Sequence, residues 1–282
     1  MAKRVLTLHA GRLIPQKYLS DIPRWRFNLM ARATAKLQSP TQPTQPTLGL
    51  IGGLSYHSTL IYYQKLNEGF ASIFGSDRSA PLLLYSHDFG MIGRSQANGQ
   101  WKDVENQIVN SALLLTQSGC EALVIASNTI HKFVRIIEAS TQRPVLHMGS
   151  AIASALVKNQ SQRVGFLGTR PTMEEPFLKR RIEESASVAL CIPTRPERDE
   201  IHRVIWERLV RGCVDDQDRE DFQIFCDDWA RRERLDSIVL SCTELGLLGL
   251  KERGFRIFDS LEAHVDYALQ FYRDRSMHFI HE

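Results

Sequence analysis

Ala122-Leu123-Val124-Ile125-Ala126-Ser127-Asn128-Thr129 and Asp236-Ser237-Ile238-Val239-Leu240-Ser241-Cys242-Thr243-Glu244 decide how this chain reads. Each is a short apolar run ending in a small nucleophilic side chain, Ser127 or Cys242, with polar residues directly behind it. Such runs suit strands buried on both faces of a parallel sheet. Two matching runs stand upstream, Leu48-Gly49-Leu50-Ile51-Gly52-Gly53 and Val164-Gly165-Phe166-Leu167-Gly168-Thr169. Gly49 and Gly165 are 116 positions apart, Ser127 and Cys242 115. A near-constant offset points to two similar halves, each presenting a hydroxyl or thiol from the same strand end. If the halves face each other, one substrate carbon fits between Ser127 and Cys242, which is an enzymatic arrangement.

Working outward, the first half predicts a helix over 56–68 with Ser55 as its cap, a strand at 81–85 and a helix near 101–118. The second predicts a helix from Met173 to about Glu184, an apolar segment at 187–192, helices at 200–210 and 219–234, and a last strand end at Ile257-Phe258-Asp259. A closing helix covers 261–273. Strands alternating with helical periods predict an α/β fold of two pseudo-symmetric three-layer lobes, each with a mainly parallel sheet and the active site in the cleft between them. The lobes are read as 47–160 and 161–273, followed by a tail at 274–282. Ligands of such sheets bind beyond the carboxyl ends of the strands, where Gly52, Gly53, Ser127, Gly168, Thr169 and Cys242 all fall.

The 282 residues carry a formal net charge of +3, unevenly distributed. Residues 1–46 hold eight Lys/Arg and a single acid, Asp21, which leaves a net of −4 for 47–282 and no nucleic-acid signature in the body. The basic segment runs into Pro40, Pro43 and Pro46, spaced as an extended tether. Residues 1–46 therefore read as a disordered extension, with initiation at Met30 and an organelle-targeting leader both left open. No charge-free stretch approaches the roughly 20 residues of a membrane helix. Five cysteines, odd in number and without zinc spacing, suit a reduced cytoplasm.

The glycine-bearing strand ends lack the G-x-G-x-x-G pattern, so they read as close backbone approach to a small anion rather than to a dinucleotide. Ser127-Asn128-Thr129-Ile130-His131 has a bland reading as a helix cap after a strand, and His131 one as a packing histidine. Cys242 likewise reads as an inert buried thiol when taken alone. Their shared place in the repeat favours chemistry over both bland readings.

The chain resembles the cofactor-independent aspartate/glutamate racemase family, particularly its broad amino-acid racemase-like branch, over about residues 48–273. The resemblance rests on Gly52-Gly53-Leu54-Ser55-Tyr56, Tyr62-Tyr63 with Leu66-Asn67-Glu68-Gly69, Ser86-His87-Asp88-Phe89, Asn128 to Lys132, Leu167 to Met173, Cys242-Thr243-Glu244, Asp259-Ser260 and His264. It implies a two-lobed, commonly dimeric enzyme acting on a small amino acid, with aspartate and glutamate among the expected substrates, and using neither pyridoxal phosphate nor a metal. The family's two catalytic cysteines match Ser127 and Cys242, placed on opposite faces of the α-carbon. Cys242 is expected to remove or return the proton and Ser127 to donate or relay one, helped by His131. Backbone N–H groups near Gly53, Ser55, Asn128 and Thr243 are expected to hold the substrate carboxylate, with Thr129, Thr243 and Glu244 in the same site and His264 supporting it. Arg170 is expected at the entrance, facing a side-chain carboxylate. A thiol ionises near pH 8.5 and an alcohol far less readily, so the hydroxyl at Ser127 leaves a one-sided decarboxylase or isomerase, or a small-molecule binding protein without catalysis, as alternatives. Leu54 stands where methionine is frequent and His57 where glutamate is.

Overall fold

The computed structural model describes residues 45–278, together with a two-residue ladder in which Leu8–His9 pair antiparallel with Arg12–Leu13. The expectations for the rest of residues 1–44, tether, late start or leader, lie outside the described residues. From Leu48 the chain folds into two α/β lobes, each built on a parallel sheet.

In the first lobe, β1 (Leu48–Gly52) lies between β2 (Leu82–Ser86) and β3 (Ala122–Ile125), all parallel, and Leu123 makes a further parallel bridge to Val145. In the second, β4 (Arg163–Gly168) lies between β5 (Ala189–Cys191) and β6 (Ser237–Ser241), with β7 (Arg256–Asp259) beyond β6. The order is the same in both, and the bridge at Val145 occupies the place of β7. The 116-residue offset thus reflects a repeated topology: Gly49 and Gly165 sit in the two central strands, and Ser127 and Cys242 follow the two equivalent neighbours.

Between the strands run α1 (Tyr56–Phe74), α2 (Phe89–Ala97), α3 (Trp101–Gln117), α4 (Val134–Thr141), α5 (Met148–Lys158), α6 (Arg170–Glu174), α7 (Pro176–Ala186), α8 (Arg195–Glu207), α9 (Asp216–Glu233) and α10 (Ser260–His278). The helix expected from Met173 is two helices, because Pro176 lacks the N–H that would continue α6 and forces Glu175 into an extended conformation. α8 begins five residues earlier than its apolar spacing suggests. There Thr194 and Glu197 form a reciprocal capping box, each satisfying backbone or side-chain donors of the other. α2, α4 and α5 were not anticipated; they are short, and α2 carries two glycines, Gly90 and Gly93.

The lobes exchange helices. Met148, Ile152 and Leu156 of α5, which follow the first sheet in sequence, pack on Val164, Phe166 and Val239 of the second. Leu261, Val265, Ala268, Leu269 and Tyr272 of α10 pack instead on Leu48, Leu50 and Val124 of the first, with Tyr62, Leu66 and Phe70 of α1. Each sheet is therefore covered on one face by the helix leaving the other lobe, so packing units do not follow contiguous sequence halves. α10 runs past residue 273, where the sequence reading starts a tail, and the Tyr272 hydroxyl donates to Pro81 O at 2.7 Å. No helix among the described residues is long and apolar enough to cross a membrane.

Candidate active site

β3 and β6 end at the same face of the molecule and each turns at once into a short 3-10 helix, Thr129–Phe133 and Leu245–Leu248. Ser127 and Cys242 line one cavity between the lobes, of about 40 Å³. Asn128, Thr129, Thr169, Ser241, Thr243 and Glu244 add to its polar wall, with Gln96 at the rim.

Cys242 is buried, and its Sγ lies 3.2 Å from Glu244 Oε2, the geometry of a thiol donating to a carboxylate. Burial is the main reason the thiol is held well above its ordinary range, and the negative charge of Glu244 adds to it. Backbone N–H groups of Glu244 and Leu245 directed at the sulfur pull in the opposite direction. The Glu244 carboxylate accepts from two further donors. Thr243 Oγ1 lies 2.9 Å from Oε2, and Ser58 Oγ, from the opposite lobe, lies 2.5 Å from Oε1 and 2.8 Å from Thr243 Oγ1. Three donors fix the carboxylate against the thiol, so Glu244 is engaged with Cys242 before any substrate arrives.

Other site residues tie the lobes together. The Asn128 amide donates to Ser260 Oγ at 3.0 Å and accepts from Ser241 Oγ at 3.1 Å. The hydroxyls of Thr129, Thr169 and Thr172 form a triangle with edges of 3.0, 3.0 and 3.2 Å. Strand ends from both lobes are thereby held in register around the cavity.

His131, His147 and His264 cluster beneath Ser127, with ring centroids 5.2 Å apart for His131–His147 and 5.5 Å for His131–His264. Their tautomers follow from their partners. His131 Nδ1 must donate to the Ser127 carbonyl (2.7 Å), and His264 Nε2 to the Leu146 carbonyl (2.5 Å). His264 Nδ1 then accepts from the Tyr62 hydroxyl at 2.8 Å, and His147 Nδ1 accepts from the Gly149 N–H at 3.0 Å. Burial first, then mutual repulsion, pushes His131 well below its usual range; burial takes His264 and His147 to about 4. Neutral, His131 anchors the backbone of Ser127 rather than its hydroxyl, while His264 anchors the backbone of Leu146.

Several expected roles change. Gly53 has φ of +70°, and a side chain there would collide with the backbone of His87, so the glycine serves the approach of the segment after β2. Its N–H donates to Thr59 Oγ1 at 2.9 Å and is not free for a carboxylate. Ser55 occupies the N-cap position of α1 but makes no capping bond, and its buried Oγ has no partner among the described residues. Arg170 lies outside the cavity, paired with Asp199 at 2.9 Å beside a surface hollow that also holds Arg195 and Arg198. His57 sits over Gly212 across the cleft, which brings it to the rim.

Ser58 and the apolar wall of Leu54, Phe89, Ile205, Trp206 and Val210 were missed. Phe89 of α2 and Trp206 of α8 stack across the mouth at 5.7 Å and 27°. Phe89 lies inside a motif already singled out, which was a usable signal; nothing in the local sequence pairs it with Trp206.

Residues 51–268 match the sequence profile of the Asp/Glu/Hydantoin racemase family. A candidate Asp/Glu racemase from Yersinia pestis is 31% identical with a TM-score of 0.73, over 81% of this chain and 99% of that one. An aspartate racemase homologue from Pyrococcus horikoshii OT3 is 27% identical with a TM-score of 0.69, over 82% and 100%. A glutamate racemase of Actinobacillus pleuropneumoniae serotype 5b is 27% identical over 150 residues, 51% of this chain and 55% of that protein. The aligned region thus spans about half the length of this curated relative.

Proposed function

We propose, from the premise that this chain belongs to the Asp/Glu/Hydantoin racemase family, that it exchanges the α-proton of a small amino acid without a cofactor, as a racemase or epimerase. The observation that carries the reading is the shared cavity. A thiol and a hydroxyl from equivalent strand ends line it, and the thiol is already bonded to a carboxylate.

In this reading Glu244 takes the Cys242 proton as substrate binds, and the thiolate removes the α-proton from one face. The substrate ammonium offsets the single negative charge that the Cys242–Glu244 pair carries wherever their shared proton sits, while the leading N–H groups of the two 3-10 helices receive the carboxylate. Ser127 donates from the other face. An alcohol gives up a proton far less readily than a thiol, so the two directions are served unequally. The single thiol also favours a second reading, a one-sided decarboxylase that protonates its product from Cys242. The discriminating experiment is proton NMR in deuterium oxide with L- and D-amino acids and no added cofactor. Loss of the α-proton signal supports racemisation; carbon dioxide release from a malonate-type acid selects the alternative. The racemase reading fails if α-proton exchange is absent across the panel.

We assign the working unit as a homodimer. The outer face of α1 exposes Tyr56, Leu60 and Tyr63 at 61, 61 and 51%, beside Leu83, Leu84 and Tyr85 of the sheet-edge strand β2. A contiguous apolar face on an edge left unpaired by the described residues supports association with a second copy.

A further inference from the structure

The cavity that holds Cys242 is lined by charge of one sign. Among the described lining residues Glu244 carries the only carboxylate, and no lysine, arginine or histidine lines the cavity. Two arginines close to the cleft are committed to carboxylates outside it: Arg170 to Asp199 at 2.9 Å, and Arg208 to Asp215 and Asp218 at 2.5 and 2.8 Å. The wall facing the polar strand ends is apolar, made by Leu54 and Phe89 from one lobe and Ile205, Trp206 and Val210 from the other.

Charge balance then restricts what the site accepts. A zwitterionic amino acid brings one ammonium, which the single charge of the Cys242–Glu244 pair matches, and one carboxylate, which backbone dipoles receive. An acidic side chain brings a second negative charge into a desolvated space that already holds Glu244 and offers no cation. An apolar side chain loses nothing by desolvation and gains contact with five apolar residues. The cavity is narrow, about 40 Å³, so an entering side chain lies directly against this wall. Phe89 and Trp206, stacked across the mouth, are the groups such a side chain meets on entry.

We infer that this protein acts on α-amino acids with uncharged, apolar side chains and discriminates against aspartate and glutamate, with Leu54, Phe89, Ile205, Trp206 and Val210 as the specificity wall. The inference rests on the racemase reading above. It is tested on the full chain by α-proton exchange with leucine, methionine, aspartate and glutamate. In parallel, each amino acid is tested for protection of Cys242 from iodoacetamide, read by peptide mapping so that the exposed Cys213 does not interfere.

Leucine or methionine should exceed aspartate in kcat/KM by on the order of 100-fold, and should protect Cys242 where aspartate does not. Gln96→Lys, which brings a cation to the polar part of the rim, should raise the aspartate-to-leucine ratio by about 10-fold. Exchange of, or protection by, aspartate equal to that of leucine overturns the specificity while leaving the racemase reading intact. Protection by leucine without exchange of any amino acid keeps the specificity and sinks the chemistry. Neither exchange nor protection by any of the four overturns both.

Discussion

Ser58 Oγ lies 2.5 Å from Glu244 Oε1, joining α1 of one lobe to the strand end that carries Cys242 in the other. The carboxylate beside the thiol is thus oriented from across the cleft, by a hydrogen bond that also ties the two lobes together. Ser58→Ala removes that donor while leaving Thr243 and Cys242 in place. The expected cost is about 1–3 kcal/mol of stability, measured by denaturant unfolding, with a fall in kcat of about 10-fold.

Cys242→Ala should reduce α-proton exchange by about 1000-fold, because the remaining lining carboxylate, Glu244, is held by Ser58 and Thr243 and is a weaker base than a thiolate. Exchange that survives this substitution removes Cys242 from the chemistry.

Ser127→Ala should separate exchange from inversion. Exchange of the enantiomer whose proton faces Cys242 persists, while formation of the opposite enantiomer falls by about 100-fold. Chiral chromatography beside the NMR measurement reads both quantities, and undiminished inversion would show that proton delivery runs through another donor.

Glu244→Gln keeps the size of the side chain and removes its negative charge, one of the two main causes of the raised thiol pKa. Less repulsion means that the thiolate forms at lower pH, so the pH profile of Cys242 alkylation shifts downward. Burial, the larger cause, remains and keeps the inflection above that of a free cysteine. Exchange activity should nevertheless drop by about 10–100-fold, since the group that takes the thiol proton is gone. A more reactive thiol in a less active protein is the signature expected.

The buried imidazoles make stability depend on pH in a stated direction. In the unfolded chain His264 takes a proton near pH 6.5, while in the fold it does so only near pH 4. Between these values the unfolded state binds the additional proton, so stability present above pH 6.5 is lost as the pH falls. His264 alone accounts for about 3 kcal/mol of loss once the pH is below both values, and His131 acts in the same direction. Asp259 opposes them: burial pushes its carboxyl up to about 6 from 3.8, so the folded state binds that proton first over this interval. Unfolding free energies measured between pH 7 and pH 4.5 should fall with decreasing pH, with fewer protons taken up on unfolding of a His264→Asn variant. A flat or rising profile contradicts the neutral cluster.

Leu60→Glu places a charge in the exposed apolar face of α1. If that face pairs two copies, the variant should sediment as a monomer at concentrations where the parent protein is dimeric.

The repeat was legible in the chain before any contact was known. Apolar runs ending at Ser127 and Cys242, offset by 115 residues, already specify two parallel sheets with equivalent strand ends, because burial on both faces demands uninterrupted apolar side chains. Ser127, Cys242, Thr129 and Glu244 could be singled out for the same reason, since strand ends of such sheets are where polar groups meet ligands. Only the tertiary structure decided their partners. Ser58 is 186 positions from Glu244, Phe89 and Trp206 lie in different lobes, and α5 and α10 cover the sheets they do not follow in sequence. Periodicity reports which face of an element is buried, but not which distant element buries it. The lack of a cation among the described lining residues likewise depends on side chains from both lobes, and the proposed substrate preference rests on that lining rather than on any single motif.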